Sequence, residues 1–259
     1  MTSQNSSLLN YQQLGQGEHL LLIHGLFGSL ENLNMVAKSL SQNYCVTSVD
    51  VRNHGNSFHA EGMSYAALAQ DIINLLDHLD INSCHILGHS MGGKIAMQIA
   101  LSHSNRVNKL IIADIAPAEY PAHHLSIIAG LQAMDLAKAE NRKDLDSQLA
   151  KYVDNMGVRQ FLLRNVVRDS QNQFKFKCNI NNIEQGYSDV MQQVESENNF
   201  VSETLFIKGG NSDYILPEHQ SSILSLFPSA KAKIIQGAGH WLHAEKTAAF
   251  NRTVADFLA

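Results

Sequence analysis

The chain has 259 residues, of which 44% are hydrophobic and 17% charged, with a formal net charge of -5. Such a size and balance describe one globular α/β-sized domain with room for an insertion, and exclude a disordered or fibrous chain. The acidic balance and the absence of a long basic run argue against a nucleic-acid surface, and no apolar run approaches the roughly 18 residues of a membrane span.

Met1 to Ser7 holds neither the positive nor the apolar stretch of a secretory signal, so a cytoplasmic location is expected. Cys45, Cys84 and Cys178 are widely separated with no C-x-x-C pair and read as buried or free thiols. The closest histidine pairs, His123-His124 and His240-x-x-His243, lack carboxylate or thiolate partners at ligand spacing, and no catalytic metal is expected.

Leu20 to Ile23 is a short continuous apolar run, as in a strand buried on both faces, and it ends at His24-Gly25. Leu33, Val36, Ala37 and Leu40 then repeat at helical spacing. Tyr44 to Val49 reads as the next strand, followed by the polar loop Asp50 to Ser57. Ser64 is placed to cap a helix whose buried stripe is Leu68, Ile72, Leu75, Leu76 and Leu79. The run Cys84 to Leu87 leads into Gly88-His89-Ser90-Met91-Gly92 and an apolar-periodic helix, and Leu110 to Ala113 is a further buried strand ended by Asp114 and Pro117. Between Pro117 and about Phe200 the strand alternation disappears and helical patterns rich in Lys and Arg take over. Strand character returns at Thr204 to Lys208 and Lys233 to Gln236, followed by helices at Pro217 to Phe227 and Lys246 to Leu258. The expected division is therefore a core of residues 1–116 and 201–259 with an inserted helical cap over 117–200, within one domain.

Gly88 to Gly92 fits a nucleophile elbow, in which a strained strand-to-helix turn pushes a serine hydroxyl outward and flanking glycines avoid clashes. A phosphate-binding loop would need Ser or Thr after Gly93-Lys94, where this chain has Ile95. Ser90 is the candidate nucleophile. Ligand sites in doubly wound sheets lie beyond the carboxyl ends of the strands, so the residues that follow each strand should converge. His240, in Gly237-Ala238-Gly239-His240-Trp241 after the last strand, is the candidate base that serine chemistry needs. The backbone amides of Leu26 and Met91 are the candidate oxyanion donors, Met91 because it opens the elbow helix. Asp114 and Asp213 both follow strands and either could orient His240; the G-x-x-D arrangement at Gly210 to Asp213 favours Asp213.

The segments His24-Gly25-Leu26-Phe27-Gly28-Ser29, Asp50-x-Arg52-Asn53-His54-Gly55-x-Ser57, Gly88 to Lys94, Asp114-Ile115-Ala116-Pro117 and Gly239-His240-Trp241-x-His243-Ala244-Glu245-Lys246 together resemble the α/β-hydrolase superfamily, and within it the YbfF-type bacterial esterases. The resemblance implies a mostly parallel sheet with helices on both faces and a helical cap inserted after the sixth strand. It moves the acid to Asp114. It further implies a serine hydrolase without cofactor, acting on small acyl esters or thioesters, acyl-CoA included, with the basic residues of the cap available to CoA phosphates. Other Ser-elbow chemistry, such as C-C bond hydrolysis or perhydrolysis, and a ligand-sensing pocket with little turnover are the alternatives.

Overall fold

The computed structural model describes residues 8–259; Met1 to Ser7, on which the expected location partly rests, lies outside them. The chain runs β1 (Tyr11–Leu14), β2 (Glu18–Ile23), α1 (Asn34–Leu40), β3 (Tyr44–Val49), α2 (Tyr65–His78), β4 (Cys84–His89), α3 (Met91–Ser102) and β5 (Val107–Ala113). After an excursion it resumes with β8 (Thr204–Gly209), α9 (Gln220–Leu226), β9 (Ala230–Ile235), α10 (Leu242–Glu245) and α11 (Thr247–Leu258). These strands form one sheet in the order β1-β3-β2-β4-β5-β8-β9, parallel except for β1.

Apolar runs account for the middle of this sheet. Leu20 to Ile23, Ile86, Leu87 and Leu110 to Ala113 are shielded on both faces, one by α2, α3 and α9 and the other by α1, α10 and α11. The edges carry no such signal. β1 is an antiparallel strand of half-exposed residues that the apolar pattern misses, and β9 begins at Ala230, ahead of its expected start, with Lys231 and Lys233 exposed. Charged side chains on an edge strand discourage pairing with other chains.

Residues 117–200 add no strand to this sheet. They fold as α4 (Leu125–Gln132), α5 (Arg142–Leu149), α6 (Met156–Leu163), a small hairpin of β6 (Val166–Arg168) and β7 (Phe174–Phe176), α7 (Ile180–Gln185) and α8 (Tyr187–Met191). The hairpin is an addition to the expected helical cap: three-residue strands are too short to show alternation. The segment also leaves the sheet after the fifth strand among the described residues, not the sixth: β1 to β5 precede it and β8 and β9 follow. It has its own apolar cluster, including Ile128, Leu145, Leu162 and Ile183. Three of its arginines tie the segment to itself: Arg142 donates to the carbonyls of Leu163 and Val166, Arg159 pairs with Asp146, and Arg168 reaches the carbonyls of Glu140 and Asn172. Where it returns to the core, Lys94 donates to the carbonyl of Gln192 at 2.5 Å and the Tyr65 hydroxyl to that of Val190 at 2.7 Å.

Chain order reverses direction across the sheet between β2 and β4, which pair with Ile23 opposite Gly88. The loop after β2 and the turn after β4 therefore emerge side by side, in the crevice where such sheets take ligands. The helix after that turn packs so closely under β2 that a Cβ on Gly92 would lie 2.3 Å from the Ile23 carbonyl oxygen. Replacing Gly92 by Ala is expected to lower stability by about 2–3 kcal/mol through overpacking against rigid backbone. An unchanged urea midpoint would contradict that close approach.

Candidate active site

Ser90 sits between β4 and α3 with φ +54° and ψ -122°, a region that a residue with a side chain rarely adopts. The strain is held from both sides: the Ser90 amide donates to the Ala113 carbonyl at 3.0 Å, and its carbonyl accepts from the Gly93 and Lys94 amides. Its Oγ lies 3.0 Å from Nε2 of His240, whose Nδ1 lies 2.7 Å from Oδ2 of Asp114.

Asp114 is fully buried at the end of β5 and also has a positive φ, +55°. Its Oδ1 accepts from the Gly209 amide at 2.9 Å, and its Oδ2 from the Ser212 hydroxyl as well as from His240. Asp213, the neighbour of Ser212, is exposed and takes no part in these bonds; it faces an outer groove with Glu119 and His219. The stretch Gly210 to Asp213 does reach the triad-like cluster, but through its serine. Nothing in the sequence pattern distinguishes that serine from its acidic neighbour.

His240 is fixed by more than its ring nitrogens. Its ring stacks on Tyr214 with centroids 3.8 Å apart and 16° between planes. Its carbonyl accepts from Nε2 of the buried His89 at 2.8 Å. His89 is thus the residue beside the candidate nucleophile and the support of the candidate base at once, a role that sequence spacing does not reveal.

The Leu26 and Met91 amides donate to no acceptor among the described residues, and both residues border the space beside Ser90. The direction of the Leu26 N–H follows from its peptide partner. The Gly25 carbonyl is held on the opposite side by the Gly28 amide at 2.9 Å and by Nδ1 of His24 at 2.8 Å. His24 can donate there because its Nε2 accepts from the Val51 amide at 3.0 Å, which fixes the neutral tautomer. His54 repeats the arrangement, accepting from the Phe27 amide at 3.1 Å and donating to the Arg52 carbonyl at 2.9 Å. Beneath them the buried Asp50 carboxylate accepts from the Leu30 and Asn56 amides and from the Asn10 side chain, so the Asp50 to Ser57 loop is scaffolding for the loop at Leu26.

A cavity of about 250 Å³ opens over Ser90, walled by Phe27, Ile127, Val158, Phe161, Leu162 and Trp241, with histidines at its floor and no Lys or Arg in its lining. His123 and His124, at its rim, bond to the hydroxyls of Tyr214 and Tyr187. Among the described residues no three His, Cys, Asp or Glu side chains converge as a metal-binding group.

Burial holds several of these imidazoles neutral. His54 and His124 are pushed down to about 3 and His243 to about 4, while His24 and His89 are lowered in the same direction. Each would bind its proton in the unfolded chain near pH 6.5, above the pH at which the folded chain does, so their contribution to stability is present above about pH 6.5 and is lost as pH falls toward about 4. The urea midpoint is expected to drop steeply already between pH 6.5 and 5, before most carboxylates titrate; a flat midpoint there would contradict the neutral assignments.

A family model described as the alpha/beta hydrolase fold matches residues 18–247. A putative esterase/lipase of Haemophilus influenzae is 40% identical over 258 residues, covering 97% of this chain and 88% of its own. Esterase YbfF of Escherichia coli is 36% identical over 251 residues, 95% of this chain and 96% of its own. The solved structure of a marine microorganism esterase superposes with a TM-score of 0.94 at 38% identity, covering 97% of this chain and 99% of that one. With its elbow, its switch-point crevice and these relatives, the chain belongs to the α/β-hydrolase family.

Proposed function

We propose that the protein is a carboxylic ester hydrolase working through Ser90, His240 and Asp114, with segment 117–200 as a cap over the acyl site. The observation that carries this reading is the continuous bond chain from Ser90 Oγ through His240 to Asp114, at 3.0 and 2.7 Å. A serine hydroxyl is a weak nucleophile at neutral pH, and His240 Nε2 is placed to take its proton as Oγ attacks the ester carbonyl. Asp114 keeps the Nδ1 proton pointed at itself, leaving Nε2 as the base, and stabilises the imidazolium that forms. The Leu26 and Met91 amides receive the developing oxyanion, each worth about 3 kcal/mol in such a site. The imidazolium then protonates the leaving alcohol, and water, activated by His240 in turn, frees the acid.

Substrate preference follows from the cavity. Its apolar wall suits an uncharged acyl chain, and the relatives named as esterases support ester chemistry at this site. Thioesters fall within the same chemistry, but CoA phosphates would have to be met outside a cavity whose lining has no Lys or Arg. The described chain contains no helix long and apolar enough to cross a membrane, and its three cysteines are free, which suits a reducing compartment such as the cytoplasm.

Kinetics with a graded series of p-nitrophenyl esters test the assignment. Ser90→Ala is expected to lose on the order of 10⁴-fold or more in kcat, Asp114→Asn about 10⁴-fold, and Asp213→Asn less than about twofold. An active Ser90→Ala, or a large loss confined to Asp213→Asn, would overturn the reading.

A further inference from the structure

The loop that offers the Leu26 amide is not held by the core alone. Phe27, next in the chain, has φ +58°, a costly conformation for a bulky residue, and its ring lies inside the apolar cluster of segment 117–200 with Ile128, Leu131 and Leu162. Its carbonyl accepts from Nδ2 of Asn165 at 2.7 Å. Asn165 is only 3% exposed and is fixed by its own backbone: its amide donates to the Leu162 carbonyl at 3.0 Å, and its carbonyl accepts from the Lys177 amide at 2.7 Å.

A second polar seam lies beside the first. The Asn179 amide donates to the Asn53 carbonyl at 2.8 Å, and the Asn182 side chain donates to Asn53 Oδ1 at 3.1 Å. Asn53 immediately precedes His54, the acceptor of the Phe27 amide. Lys177 also reaches Glu31, three residues beyond Gly28, at 3.4 Å. Phe27 is therefore gripped at its amide through His54, at its carbonyl through Asn165 and at its ring by the inserted segment.

We propose that the cap is a working part of the oxyanion hole, and that Asn165 is a positioning residue which, by holding the Phe27 carbonyl, keeps the Leu26 amide aimed at the reacting centre. This rests on the assignment of Leu26 as an oxyanion donor. Without Asn165, Phe27 can relax toward negative φ, and the peptides around it turn away from the set that presents Leu26. Among the described residues the side-chain amide of Asn165 donates only to the Phe27 carbonyl, and an apolar residue there would leave that carbonyl without this donor.

Asn165→Ala removes the donor, and Asn165→Asp sets a carboxylate against the carbonyl. Complete loss of one oxyanion donor costs about 10²–10³ in kcat, so a displaced donor is expected to cost about 10- to 100-fold. KM should stay within about twofold, and the affinity of an alkylboronic acid, which forms a tetrahedral adduct on serine, should fall by the same factor as kcat. A purely structural role predicts a lower melting temperature with kcat and inhibitor affinity unchanged. That outcome overturns the proposal, as does a fall in kcat with no matching loss of inhibitor affinity. If neither variant folds, Asn182→Ala, which removes only the partly buried bond to Asn53, reads the same coupling: a parallel loss of kcat and boronate affinity supports it, and no loss refutes it. Activity surviving in Ser90→Ala would instead sink the mechanistic assignment, whereas an inactive Ser90→Ala beside unaffected Asn165 and Asn182 variants sinks only the role of the cap.

Discussion

A carboxylate cut off from water must have its oxygens satisfied by protein donors, and the position of Asp114 imposes that demand on half the sheet. Its partners are the Gly209 amide at the end of β8, the Ser212 hydroxyl in the turn that follows, and the His240 ring after β9. These donors can meet only if β5, β8 and β9 lie side by side in parallel and end at one level. Removing a partner would leave a buried acceptor short, at a cost of about 1–3 kcal/mol or more for a charged group. The same bonds that stabilise this edge of the sheet set the orientation of His240, so under the proposed mechanism stability and chemistry are coupled at one group.

The other half of the site depends on close backbone approach. The elbow at Ser90, whose positive φ is held by its own backbone bonds, sends α3 directly against the end of β2, and that contact requires a glycine at position 92. The loop at Leu26 then grows from β2 at the same spot. Its orientation comes from neutral imidazoles at His24 and His54, which accept from one amide and donate to one carbonyl each. A protonated ring would lose its acceptor nitrogen, so burial that keeps these rings neutral also keeps the loop in place.

Sequence legibility follows the same physics. The buried parallel strands stand out as apolar runs because both faces are covered, and the strand exits mark where Ser90, Asp114 and His240 emerge. The edge strands β1 and β9 are half exposed and leave no such run. Likewise, the hairpin at Val166 and Phe174 is too short for a period to register. Residue-level reading favours Asp213 over Asp114, since both follow strands and only Asp213 sits in a G-x-x-D turn; the structure differs because the turn after β8 buries Ser212 and leaves Asp213 exposed. His89, Tyr214 and Asn165 escaped notice because their roles arise from contacts with residues far away in the chain, at His240 and Phe27.

The proposed chemistry stands or falls with Ser90 as the nucleophile of an ester hydrolase. Stoichiometric phosphorylation by diethyl p-nitrophenyl phosphate, followed by mass mapping of the modified peptide, decides that assignment. Release of one p-nitrophenolate per chain, loss of esterase activity in step with it, and an adduct on Ser90 are predicted. An adduct confined to another residue, or full activity remaining after Ser90 is modified, would contradict it.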